Sequence, residues 1–214
     1  MKKVFAIILM VSLVFGMAFA AKSSGLKVGA QAGYGAEFLK LSKDSSYIKV
    51  NNGGFYFAGT AEYDFSDSFA GKVELGINTM GKAKSTAKIG GIAEVTGTAS
   101  EASPMHFSAY VGGEFALEVS KDFNFLVGAG LDALIGKESS DDDAKVNAAI
   151  GLGLEAVGAY SVNKNVAVTF GAKFGWHFIN TDDDIDDAYG SLGDNGVSTS
   201  NVSLKFFAGI TYAL

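Results

Sequence analysis

The sequence predicts an all-β protein, an eight-stranded antiparallel up-and-down transmembrane β-barrel. Three observations carry this. Eight segments alternate apolar and polar residues with a period of two. Each segment is long enough to cross a bilayer. The connections between them alternate between tight and long.

The first strand, Leu26 to Lys40, is the clearest. Leu26, Val28, Ala30, Ala32, Tyr34, Ala36 and Phe38 form one face, and Lys27, Gly29, Gln31, Gly33, Gly35 and Glu37 the other. Strict alternation marks a strand with two unlike faces. The second strand presents Phe55, Phe57, Gly59, Ala61, Tyr63 and Phe65, and the third Phe69, Gly71, Val73, Leu75 and Ile77. The fourth runs from Met105 to Val119, the fifth from Phe123 to Ile135 and the sixth from Val146 to Val162. The seventh runs from Val166 to Phe178 and the eighth from Val202 to Leu214. No charge stands on any apolar face, whereas every opposite face carries at least one ionisable residue. Most segments exceed 10 residues, against the roughly 5–6 usual in soluble sheets. A tilted membrane strand needs about 9–11. Tyr63, Phe65, Phe69, Phe123 and Tyr160 mark one end of the apolar band, and Phe38, Phe55, Phe107, Trp176 and Phe178 the other. That is the pattern of two interfacial aromatic girdles.

Composition agrees. Among 214 residues there are 28 Gly, 17 Phe, a single Pro and no Cys. The absence of Cys excludes disulfides, thiolate metal sites and cysteine nucleophiles. The net charge is −6 and every cation is Lys, so a nucleic-acid partner is not expected. Residues 1–20 read as a signal peptide: Lys2 and Lys3, an apolar run from Val4 to Phe15, and the small-x-small site Ala18-Phe19-Ala20. The barrel is then residues 21–214, exported to the bacterial outer membrane.

Tight turns are expected at Ser66-Asp67-Ser68, Ser120-Lys121-Asp122 and Asn163-Lys164-Asn165. Long loops are expected at 41–54, 81–104, 136–144 and 180–201. Short turns face the periplasm in such barrels and long loops the exterior. Centring each tight turn on its middle residue places Glu62 opposite Lys72, Glu155 opposite Lys173 and Asp132 opposite Tyr110, all facing the lumen. Lys205 should lie close to the second pair. On the lipid side Tyr63 should cover Gly71, and Phe170 should cover Gly158.

The chain resembles the small outer-membrane β-barrels that include the OmpA transmembrane domain and OmpX. The resemblance covers everything after the signal peptide. The ending Gly209-Ile210-Thr211-Tyr212-Ala213-Leu214 resembles the family's assembly signal, although the last residue is Leu rather than aromatic and Phe207 stands where a polar residue is usual. The resemblance implies outer-membrane lipid, periplasmic chaperones and the barrel-assembly machinery as partners, and a monomeric state. Some relatives of this kind are lipid-modifying enzymes with Ser, His and acid residues. No such constellation is legible here: His106 and His177 read as solvated lumen residues, and no enzyme activity and no cofactor are expected. Asp141-Asp142-Asp143, and Asp182, Asp183, Asp184, Asp186 and Asp187, are weak candidates for Ca²⁺, otherwise hydrated acidic loops. The expected role is a surface barrel that presents four long extracellular loops, either structural or for surface interaction or adhesion with an extracellular ligand, over a lumen filled by polar and charged side chains. A narrow porin-like channel is the alternative.

Overall fold

The computed structural model describes residues 25–88, 90, 94–102, 105–137, 146–180 and 198–214; the expected signal peptide and the two acidic runs lie outside them. The described strands are β1 (Leu26–Lys43), β2 (Ser46–Ser66), β3 (Phe69–Met80), β4 (Lys82–Lys88), β5 (Val95–Ala102), β6 (His106–Ser120), β7 (Phe123–Lys137), β8 (Val146–Ser161), β9 (Val166–Asn180) and β10 (Ser198–Ala213). Eight of them close a barrel. β1 pairs with both β10 and β2, and β2, β3, β6, β7, β8, β9 and β10 follow in order, every pair antiparallel. Closure leaves the barrel wall without a free edge, which is what lets a sheet survive in hydrocarbon.

The strands are strongly staggered. Paired residues lead from Phe55 through Tyr34, Phe206, Ala172, Ala156, Val127, Phe115 and Phe69 back to β2 at Ser66, eleven residues beyond the start. Stagger and tilt are linked in a closed sheet, and eight strands enclose a space that side chains can fill. The period of two places the apolar faces outward. Val28, Phe57, Leu75, Phe115, Leu131, Leu154, Phe174, Phe206 and Ile210 are all exposed, while Lys72, Glu74, Asp132 and Glu155 are buried inside. An exposed apolar belt running right round a barrel, over a charged interior, is a lipid-facing surface.

The two aromatic ends are present: Phe65 packs between Tyr63 and Phe69, and Trp176 packs on Phe178. Grading along the belt is incomplete, however, because Phe57, Phe174 and Phe206 are exposed in mid-strand. Phe has no polar tip to hold it at an interface, unlike Trp and Tyr. One covering ring also differs from expectation. Phe170 does cover Gly158, but the ring over Gly71 is that of Phe65 rather than Tyr63.

The registers match those expected, by a different local route. Ser66 pairs with Phe69, and Ser120 with Phe123, so each turn has two residues and is preceded by a bulge. A two-residue turn plus a bulge gives the same downstream register as a three-residue turn. At the third turn Asn163 Oδ1 accepts from the backbone N–H of Asn165 and Val166, at 2.9 and 3.0 Å.

Two expected long loops are corrected. Residues 41–54 are almost wholly strand. β1 and β2 stay paired from Leu26↔Tyr63 to Lys43↔Ser46, and only Asp44-Ser45 form the turn, with Asp44 in the left-handed region at φ 49°. Residues 81–104 contain the β4–β5 hairpin, and β4 continues the ladder along β2 where β3 ends. The barrel therefore carries a tall β1–β2–β4–β5 sheet at the end opposite the tight turns.

Candidate functional site: the charged lumen

Every barrel strand sends one face inward, and inward residues of β3, β6, β8 and β9 meet in a buried ion network. Lys72 on β3 donates to Glu114 Oε1 at 2.9 Å and to Glu155 Oε2 at 3.0 Å. Lys173 on β9 donates to Glu74 Oε2 at 2.5 Å, and its Nζ lies 3.6 Å from Glu155 Oε2. Glu155 thus holds two ammonium groups. Glu74 also accepts the hydroxyl hydrogen bond of Tyr56. The side chains of Lys72, Lys173, Glu74, Glu114 and Glu155 are each no more than 2% exposed. Buried ions are tolerated only when paired and hydrogen-bonded, and removing one partner strands the others.

Glycine makes the room. A Cβ on Gly153 would stand 2.9 and 3.0 Å from the Tyr110 ring, and one on Gly128 would stand 2.7 Å from Glu155 Cγ. Lys173 Nζ sits 4.1 Å from the centroid of that Tyr110 ring, and Lys205 Nζ sits 5.0 Å from that of Tyr56. Lys205 lies directly opposite Lys173, an unfavourable pairing of like charges. The two diverge, Lys173 to Glu74 and Lys205 over the Tyr56 ring.

The expected lumen residues are brought into this space, but not all in the pairs expected. Glu62 does pair in register with Lys72, yet the Lys72 ammonium turns away to Glu114 and Glu155. Glu155 and Lys173 face each other across β8 and β9 and approach to 3.6 Å. Tyr110 lies opposite Asp132, but Asp132 Oδ2 is engaged by His177 Nε2 at 2.9 Å. His106 Nδ1 lies 3.1 Å from Glu37 Oε2. His177 and Asp132 are not solvated, since both are 1% exposed.

Residues not singled out beforehand complete the closure. Tyr56, Ala58, Val157 and Phe207 form the buried apolar cluster, with Leu126 against it. Phe207 lies between glycines: a Cβ on Gly171 would stand 2.9 Å from its ring. On the turn side of this plug a vestibule of about 540 Å³ opens, lined by Glu62, Glu114, Leu126, Thr169 and Thr211, with the Lys27–Asp64 ion pair of 2.9 Å on its rim. Tyr56, Glu74 and Phe207 all stand on the inward phase of their strands, which is the signal that could have marked them. Among the described residues no cluster of His, Asp or Glu is arranged to hold a metal ion. The weak Ca²⁺ candidates Asp182 to Asp187 lie outside those residues.

Neither a protein-family profile nor a curated protein matches this chain. Solved structures do. Neisserial surface protein A aligns with a TM-score of 0.56 at 16% identity, over 91% of this chain and 100% of that one. The outer membrane protein OprG of Pseudomonas aeruginosa aligns with a TM-score of 0.47 at 13% identity, over 90% and 97%. Ail, the attachment invasion locus protein of Yersinia pestis, in complex with the heparin analogue sucrose octasulfate, aligns at 0.45 and 11%, over 88% and 99%. The chain shares the fold of the small outer-membrane β-barrels.

Proposed function

We propose that this protein is a non-enzymatic, non-conducting barrel of the bacterial outer membrane. Its role is to present a surface, the tall β1–β2–β4–β5 sheet and the connections beside it, to the cell exterior. The observation that carries this reading is the plug. Lys72, Lys173, Glu74, Glu114 and Glu155 cross-link four strands, β3, β6, β8 and β9, inside the lumen, and Phe207, Val157 and Tyr56 fill the space beside them. A water-filled path would leave these charges solvated. The tight turns then face the periplasm, and the Asp44-Ser45 tip faces outward. Such a barrel reaches its membrane through periplasmic chaperones and the barrel-assembly machinery and works as a monomer.

Catalysis is disfavoured by the same packing. The one described His–Asp pair inside the wall, His177–Asp132, is too deeply buried to meet a substrate. The test is planar-bilayer recording of the refolded protein. No steady unitary conductance is expected. A reproducible single-channel conductance, with ions passing from the vestibule past Phe207, would establish the narrow-channel alternative instead.

A further inference from the structure

The tall sheet carries its lysines on one side. Directly opposed residues of an antiparallel pair share a face. Lys40 is opposite Lys49, Lys49 opposite Thr86, Asn51 opposite Lys84 and Tyr47 opposite Lys88. Alternation along β4 adds Lys82. Lys40, Lys49, Lys82, Lys84 and Lys88 therefore stand on one face, and it is the face of Phe38 and Phe55, continuous with the apolar belt. Lys43 falls on the other. Among the described residues no carboxylate lies within 4.0 Å of any of the five. Lys40, Lys82 and Lys84 are exposed, and the Lys49 ammonium rests 4.5 Å from the Tyr47 ring centroid. In a chain of net charge −6 this is a concentrated cationic face, with Glu94, held by the Tyr47 hydroxyl, at its upper edge.

Its height selects its partner. Phe38, Asn51 and Lys84 form one row across the sheet. The next row up, Lys40 with Lys49, stands roughly 7 Å higher at two residues per row. The polar headgroup layer of a bilayer is about 5–8 Å thick on each side. Lys84, Lys40 and Lys49 lie in these two rows, and Lys82 one row below and Lys88 one row above extend towards them from the same lipid-facing side. Their stems can lie on apolar surface while the ammonium groups reach phosphate.

We propose that this five-lysine face binds the phosphate groups of anionic lipid headgroups in the leaflet that borders the tall end of the barrel. The facing pair Lys40 and Lys49, unfavourable when bare, is satisfied by a phosphate between them. The proposal rests on the membrane-spanning reading of the belt, and the experiment separates the two. The protein is placed in nanodiscs of phosphatidylcholine alone, or with a third of phosphatidylglycerol. Trp176 quenching by a lipid-borne quencher reports insertion, and mass spectrometry reports the rate at which an amine reagent acylates each lysine. Anionic lipid is expected to slow Lys40, Lys49, Lys82, Lys84 and Lys88 at least about threefold, with loss of protection in 1 M salt, where screening acts over about 3 Å. Lys121, 89% exposed at a tight turn, serves as the reference and should change little. Insertion without protection of the five, or equal protection of Lys121, would overturn the proposal alone. Failure to insert would overturn the membrane reading and the proposal with it. Protection by added inorganic phosphate or a soluble sulfated oligosaccharide in phosphatidylcholine discs, but not by anionic lipid, would overturn the lipid assignment in favour of a soluble anion.

Discussion

Lys173 and Lys84 are the same side chain on two faces of one continuous sheet, and they live under different physics. Lys173 is 1% exposed and held by Glu74 and Glu155. Lys84 is exposed, beside an apolar belt, with no carboxylate within 4.0 Å among the described residues. The lumen lysine is fixed by a low-dielectric surround in which a missing partner is costly. The outer lysine keeps its water and contributes little to folding. The face of the strand, not the residue type, therefore separates charges that build the barrel from charges free to meet something else.

The largest test of that contrast is Lys173→Met. It leaves Glu74 and Glu155 short of a cation, and unfolding in urea should show a loss of about 3–5 kcal/mol. A double-mutant cycle sharpens it. Glu74→Gln with Lys173→Met should cost less than the sum of the single changes, by about 0.5–3 kcal/mol. The coupling between Lys173 and Glu74, in contact at 2.5 Å, should exceed that between Lys173 and Glu155 at 3.6 Å. Strict additivity for both pairs would mean that the lumen charges do not act as a network.

Next in size is Gly153→Ala. The added methyl meets the Tyr110 ring, which also lies beneath the Lys173 ammonium. Overpacking of this kind costs about 1–3 kcal/mol, read as a lower urea midpoint. A Gly113→Ala change meets only the Phe69 ring on the lipid side, where the ring can swing outward, and should cost less. Equal losses would show that lumen and belt are packed alike. Smaller still is Lys84→Gln, expected within about 0.5 kcal/mol of the wild type in zwitterionic detergent.

The strand faces and hairpin registers were legible because a period of two leaves one choice of phase, and tight turns fix which residues oppose. The network was not, because Lys72 meets Glu155 across the lumen, from β3 to β8, and such meetings depend on tilt and stagger rather than adjacency. Glu74 stood in plain view on the inward phase, but nothing in β3 alone makes it the partner of Lys173. The tall hairpin was missed for another reason. Asn51-Asn52-Gly53-Gly54 has the composition of a turn. Its glycines serve close approach instead: a Cβ on Gly54 would fall 1.6 Å from the Thr79 carbonyl oxygen, and one on Gly53 would fall 2.6 Å from the Tyr34 hydroxyl. Glycine within a strand marks crowding of backbone as readily as a bend. The real turn, Asp44-Ser45, has no glycine and relies on Asp tolerating the left-handed region.

The smallest effect expected lies at the top of the tall sheet, in Tyr47. Its hydroxyl donates to Glu94, just ahead of β5. That hydrogen bond, with a smaller contribution from burial and then from the carboxylate's charge, raises the phenol above its ordinary value of 10.0. The sign follows from which form is favoured. The folded protein prefers the protonated phenol, so the contact's contribution is whole below the unfolded phenol's pKa and is lost as pH rises through the higher folded value. Tying Tyr47 to Glu94 helps hold the β4–β5 hairpin against β2, and that tie should loosen only in strong base. Ultraviolet titration should therefore show a component ionising above pH 10 that Tyr47→Phe removes. Glu94→Gln should bring it down towards 10, because the neutral amide neither repels the phenolate nor accepts as strongly. A Tyr47 that ionises at its ordinary value in the wild type would mean that Glu94 does not hold it, and the hairpin would then be tied to the barrel by its backbone ladder alone.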